Sequence, residues 1–218
     1  MSKFITGILV LFLGSVAFAQ VVTTATTGTV TFSQGLGSAL VSKVGKYAVV
    51  ATVTNVAPGA GTFTCAVTDI CTRVGHGYAT GLVVRGTTTT TLPAGISVST
   101  DYFIISLGAN TFSFATTLAL AQAGTAIDIT DTGTGTHTVT ATALAGASLR
   151  LQGSMDNTVW VDLPVRASGD VTKSANVTVT ASFYLDEPNI NVNYVRVFYA
   201  ITTGQLSVSQ VPKYIRLP

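Results

Sequence analysis

Two histidines, two cysteines and one close pair of aspartates are the side chains of this chain whose types and spacing could do chemistry. His76 and His137 sit beside glycines, in Gly75-His76-Gly77 and Gly135-Thr136-His137. An imidazole can move protons near neutral pH, but catalysis also needs a nucleophile or carboxylate for it to act with. The sequence holds no G-x-S-x-G elbow, no phosphate-binding P-loop, no H-E-x-x-H and no Cys–His arrangement to provide one. A histidine at a glycine-rich turn is expected to hydrogen-bond the backbone instead. Asp128 and Asp131 have the residue type of a glycosidase pair or a calcium site. Glycoside hydrolysis needs carboxylates flanking a cleft, whereas these two share one Thr/Gly-rich turn, where capping of backbone N–H groups is the expected role. Gly35-x-Gly37 lacks the third glycine and the following helix of a dinucleotide loop and reads as a flexible turn. No catalytic residue, cofactor-binding residue or metal site is expected.

Cys65 and Cys71 lie in Thr62-Phe63-Thr64-Cys65-Ala66-Val67-Thr68-Asp69-Ile70-Cys71, with Thr68-Asp69 as the turn between them. Their spacing fits no zinc template. In an exported chain they would close a small disulfide loop, and in a reducing compartment they would pack as two small hydrophobic thiols. Trp160, the only tryptophan, has two readings as well: an anchor of a hydrophobic core, or an aromatic platform for a sugar ring.

The elements around these residues read as short strands. Val30–Phe32, Tyr47–Val53, Leu82–Val84, Tyr102–Leu107, Thr111–Phe114, Ser148–Ser154, Thr158–Leu163, Val177–Leu185, Asn191–Thr202 and Leu206–Val208 are rich in β-branched, aromatic or alternating residues, and Gly, Pro, Asn or Ser punctuates them. Thr117–Ala123 is the exception, a run of helix formers stopped by Gly124. Pro93 presets φ for a turn, with Gly95 placed to supply a positive φ. Only 9% of the 218 residues are charged against a usual value of about 25%, so Thr, Ser, Asn and Gly must make the surface. The 11 Lys and Arg residues are scattered singly and the net charge is +2, which argues against nucleic-acid binding through phosphate neutralisation. A surface poor in charge is weakly protected against association, so a homo-oligomer or a permanent partner is expected.

At the N-terminus, Lys3 precedes an apolar run from Phe4 to Leu13 and then Ala17-Phe18-Ala19-Gln20. This is the layout of a secretory signal cut after Ala19, with an apolar arm buried in an assembly as the other reading. The run is shorter than the roughly 20 residues of a membrane span, so no stable membrane span is expected.

From His76-Gly77-Tyr78-Ala79-Thr80-Gly81 onward the chain resembles a small β-module of tailed-bacteriophage structural proteins, found in tail fibres, baseplate parts and head decorations. Leu92-Pro93-Ala94-Gly95, Thr100-Asp101-Tyr102-Phe103-Ile104-Ile105 and Asn110-Thr111-Phe112 continue the likeness. Ala123-Gly124-Thr125-Ala126-Ile127-Asp128-Ile129-Thr130-Asp131 and Gly133-Thr134-Gly135-Thr136-His137-Thr138 close it. The C-terminal part is similar to a phage-protein β-sandwich through Gln152-Gly153-Ser154-Met155-Asp156-Asn157-Thr158-Val159-Trp160-Val161-Asp162 and Tyr194-Val195-Arg196-Val197. Relatives often carry Asn-Asp-Gly where this chain has Met155-Asp156-Asn157. Arg196 alternates with Val195 and Val197, so it should point away from the core, where a salt bridge is expected.

The resemblance implies a non-enzymatic virion component, a head decoration, fibre or tail-associated protein, whose partners are other virion proteins. The alternative is a secreted or surface-exposed module that binds a host-surface glycan. The expected fold is all-β, with two sandwich- or barrel-like units. One is formed by residues 21–60 with 141–218 and the other by residues 61–140 inserted between them, after a signal-like or apolar segment 1–20. The insertion is expected because Tyr47–Val53 needs strand partners that only the C-terminal strands can offer.

Overall fold

The computed structural model describes residues 26–40, 46–55, 58–163, 178–185 and 192–215. The fold is all-β with one short helix. Three strands come first: β1 (Thr26–Val30), β2 (Gln34–Leu40) and β3 (Lys46–Asn55). Six follow as a unit: β4 (Gly61–Cys65), β5 (Cys71–Thr72), β6 (Val83–Thr88), β7 (Asp101–Ser106), β8 (Thr111–Ala115) and β9 (His137–Ala141), with α1 (Leu118–Ala123) between the last two. The chain ends with β10 (Ser148–Ser154), β11 (Val161–Asp162), β12 (Thr178–Leu185), β13 (Tyr194–Ala200) and β14 (Leu206–Ile215).

Strands β4 to β9 close into an antiparallel barrel in the order β4-β5-β8-β7-β6-β9. Closure needs a continuous ring of pairings, and β4 completes it by pairing with both β5 and β9. Phe63 and Cys65 of β4, Val84 of β6, Tyr102 and Ile104 of β7, Phe112 and Phe114 of β8 and Val139 of β9 alternate inward to fill it. The helix is set by its ends. Thr117 accepts a hydrogen bond from the Leu120 N–H, and Gly124, at φ 73°, donates back to the Ala121 carbonyl.

The remaining strands form two four-stranded sheets, β1-β14-β3-β12 and β11-β10-β13-β2. They face each other across one aliphatic core that draws Val30, Ala51, Val53, Leu206 and Val208 from the first sheet and Leu149, Leu151, Val195, Val197 and Tyr199 from the second. Burying each such Val or Leu is worth about 1.5–3 kcal/mol. The partners of β3 are β12 and β14, both far downstream, so the sandwich is completed only after the barrel segment has been passed.

Among the described residues, the barrel meets the sandwich where residues 77–81 lie against Thr31 and Gln205. The buried Gln205 side chain, on the turn before β14, accepts from the Ala79 N–H at 2.9 Å and donates to the Gly77 carbonyl at 3.0 Å. Thr31, in the β1–β2 turn, donates its hydroxyl to the Thr80 carbonyl at 2.6 Å. Gly81 completes the joint: at φ 90° and hemmed by Thr31, Phe32 and Leu118, it has room for no side chain.

Candidate functional site

The two cysteines stand opposite each other on β4 and β5 and are joined as a disulfide. The hairpin between them turns at Asp69, whose φ is 65° and whose N–H donates to the Ala66 carbonyl. The Asp69 carboxylate reaches across to accept from the Ile129 N–H at 2.7 Å, and its carbonyl accepts from the Ser113 hydroxyl at 2.6 Å. The disulfide loop is thereby tied to two other parts of the barrel.

Both histidines are buried in the barrel, with both ring nitrogens occupied. His76 Nδ1 accepts from the Tyr78 N–H at 2.9 Å, which leaves Nε2 to donate to the Thr111 carbonyl at 3.2 Å. His137 Nε2 faces the Thr132 carbonyl and Nδ1 the Thr88 hydroxyl. Each ring also packs on aromatic neighbours, His76 on Tyr78 and Phe112 and His137 on Phe63. These are the backbone-satisfying histidines that glycine-flanked turns call for. Asp131 caps its own turn, accepting from the Gly133 N–H at 2.7 Å. Among the described residues no group of three His, Cys, Asp or Glu side chains could hold a metal ion.

An open groove of about 620 Å³ runs along the outside of β4 and β5, lined by Thr62, Thr64, Thr72, Arg73, Val74 and Thr136. Arg73 crosses it, lying over Gly61 and the Tyr78 ring, and hydrogen-bonds the Tyr78 hydroxyl and the Gly59 carbonyl. Burial raises the Tyr78 phenol above its ordinary pKa, opposed by the adjacent guanidinium. The groove is a threonine surface whose one cation is already engaged. The His137 ring also borders it, held by the Thr88 hydroxyl and the Thr132 carbonyl.

The outer face of the second sheet is chemically different. Tyr194, Arg196 and Phe198 line it along β13, beside Arg150 and Gln152 of β10 and Asp162 of β11. Trp160 is only half-buried and stands outside the sandwich core, so the core-anchor role expected of it falls to Leu149, Leu151 and Tyr199 instead. The reason is local. Asp156 Oδ1 collects the Thr158 and Val159 N–H groups and the Ser154 hydroxyl, which holds residues 155–159 in a loop rather than the strand expected from Thr158 onward. Hydrogen bonds from Thr158, from the Val159 and Thr158 backbone and from Ser154 keep the Asp156 carboxyl well below the usual range. The loop delivers Trp160 onto the outer face.

There the Arg196 guanidinium stacks on the Trp160 ring, 4.1 Å from its centroid, with Phe198 at 5.8 Å. Its Nε donates to Gln152 Oε1 at 3.0 Å, while Gln152 Nε2 donates to Asp162. Asp162 is in turn paired with Arg150 at 3.1 Å. Among the described residues, the salt bridge expected of Arg196 is replaced by a cation–π stack, and the neighbouring Arg150 holds the carboxylate. Burial lowers the Arg196 pKa. Alternation places Arg196 on the outer face, but nothing in the spacing of the sequence reveals that Trp160 folds back over it.

The chain matches no protein-family model, no curated protein and no solved structure.

Proposed function

We propose that the protein is a non-enzymatic structural component of a bacteriophage particle, a head decoration, fibre or tail-associated protein that acts through self-assembly and contacts with other virion proteins. The observation that carries this reading is the contrast between the edges of the two sheets. In the second sheet, β11 is two residues long and carries Asp162, and the β13–β2 pairing is broken by a register shift between Val195 and Val197. Short edges, charges and bulges all discourage pairing with another chain. The first sheet ends in β1, TTGTV, and β12, TVTASFYL, which contain no Lys, Arg, Asp, Glu or Pro. A sheet whose two edge strands carry none of these guards in their own sequence suits a subunit that meets its neighbours by strand addition. The sparse charge of the chain and the phage-module resemblance of residues 76–140 support the same reading.

Peptide mass spectrometry of purified particles is the test, with copy number measured against the major capsid protein. The chain should be present at a fixed stoichiometry, and light scattering of the isolated protein at micromolar concentration should give an oligomer that Thr29→Lys on β1 weakens. A monodisperse monomer, together with absence from particles, would remove the support for this reading. It would favour a secreted or surface-exposed glycan-binding module, for which the disulfide, suited to an oxidising compartment, is the favourable observation.

A further inference from the structure

Of the four arginines in the described residues, three have at least one terminal amino group on an oxygen. Arg85 pairs with Asp101, Arg150 with Asp162, and Arg73 with the Tyr78 hydroxyl and the Gly59 carbonyl. Arg196 differs. Among the described residues only its Nε is bonded, to Gln152, and no carboxylate faces its two terminal amino groups. Its position is nonetheless fixed. One side is covered by Trp160, and the side chain lies across the edge strand β2 at Gly35, where a Cβ would collide with Nε, Cδ and Cζ. Arg73 shows what such a seat looks like when complete, since it too lies over a strand glycine and an aromatic ring but has its hydrogen bonds filled. A half-buried guanidinium, oriented at Nε and stacked on indole, presents its remaining donors as a planar fork, and that fork matches a carboxylate.

The surroundings narrow the ligand further. Trp160, Tyr194 and Phe198 are half-buried rings on one face, and Gln152, Arg150 and Asp162 are planar polar groups among them. Among the described side chains, the outer face of the first sheet offers Thr29, Thr52, Thr54, Ser207 and Ser209. Rings that pack on C–H faces, interleaved with bidentate donors and acceptors, suit a pyranose. We propose that the outer face of the β11-β10-β13-β2 sheet, centred on Arg196, binds an acidic saccharide. Arg196 takes the sugar carboxylate, the aromatic side chains pack against the ring, and Gln152 with its Arg150–Asp162 neighbours meets the hydroxyls. The site deepens the glycan-binding alternative and is equally compatible with a particle-borne subunit.

Trp160 is the only tryptophan in the chain, so intrinsic fluorescence of the full-length protein reads this face directly. Titration with a galacturonic acid trimer should give a saturable change, while the neutral galactose trimer and tri-glutamate should give none. Arg196→Gln should weaken binding at least about tenfold, the loss expected for a charge-assisted bidentate contact. Gly35→Ala keeps every charge but pushes Arg196 off its seat, and should weaken binding several-fold. Unchanged circular dichroism would show that both variants remain folded, and calorimetry on Trp160→Phe would check that the signal follows occupancy. Silence toward the acidic trimer, an equal response to the neutral trimer or to tri-glutamate, or unaltered affinity in Arg196→Gln would overturn the proposal. None of these results depends on whether particles contain the chain.

Discussion

The barrel core is made of rings, with Phe63, Tyr78, Tyr102, Phe112 and Phe114 packed mainly edge to face, whereas the buried residues described in the sandwich core are chiefly Val, Leu, Ile and Ala, with Tyr199 as the one ring among them. Their backbones differ in the same sense. The barrel strands close on themselves and the disulfide pins one of their hairpins, while the sandwich leaves strands at four sheet ends. A closed sheet satisfies its ladder groups internally and has no edge to offer, and an open one keeps donors and acceptors for a neighbour. The barrel is therefore the self-contained unit. The sandwich carries the surfaces on which the proposed contacts would form, namely the edges of its first sheet and the Arg196 face of its second.

The largest expected effect lies in the aromatic cluster. Phe112 is fully buried and touches Phe63, His76, Tyr78 and Phe114. Phe112→Ala should cost about 3–5 kcal/mol, and Leu149→Ala in the sandwich about 2–5 and less than Phe112→Ala, because the smaller side chain leaves the smaller cavity. Denaturant unfolding of the two variants would check the order. A greater loss from Leu149→Ala would reverse the ranking of the two cores.

Next comes the joint. Gln205→Ala leaves the Ala79 N–H and the Gly77 carbonyl without their partner, at a cost of about 2–3 kcal/mol. The more telling readout is cooperativity. Calorimetry of the variant should resolve separate barrel and sandwich transitions where the wild type gives one. A single transition would mean that Thr31 and the packing around Gly81 suffice to couple the two units.

How much of this was legible in the sequence differs by level. Strand periods and turn residues identified the all-β class and the short helix, because Gly124 and Gly95 act through their own backbone and the Thr117 hydroxyl reaches only three residues along the chain. Chain logic looked downstream for the strand partners of Tyr47–Val53, and β3 pairs with β12 and β14. The site was legible in part. Alternation placed Arg196 outside, but the capping by Asp156 that turns Thr158 and Val159 out of the strand is a side-chain event, and it decides where Trp160 goes. Gln205 carried no signal at all. Its role depends on two carbonyl and amide groups more than 120 residues away, and no local pattern encodes such a meeting.

The disulfide gives a smaller effect confined to one unit. Closing the short loop from Cys65 to Cys71 is worth roughly 2 kcal/mol in the chain-entropy treatment. The double substitution of both cysteines by serine should lower the barrel transition by about that amount. In the Gln205→Ala background, where the units melt separately, the sandwich transition should not move. Equal displacement of both transitions would show that the Asp69 hairpin supports the sandwich as well.

The smallest expected effect is on acid sensitivity. Three exposed carboxylates are held below their ordinary range: Asp101 by its hydrogen bond to Arg85, Asp156 by the hydrogen bonds of its turn, and Asp162 by Gln152 and then Arg150. A carboxylate with a depressed folded-state pKa contributes stability that is fully present above the unfolded value of about 4. That contribution is lost as the pH falls through the folded value. Two of the three belong to the sandwich and one to the barrel, so below about pH 4 the sandwich should lose the larger share. All three are solvent-screened, which keeps the effect modest. The melting temperature should be flat with respect to these groups from pH 7 to about pH 5 and decline below about pH 4. Asp156→Asn should melt lower than wild type at neutral pH and decline less steeply in acid, because its turn no longer contains a titrating group. Parallel curves for the two proteins would show that the Asp156 hydrogen bonds contribute equally in both protonation states.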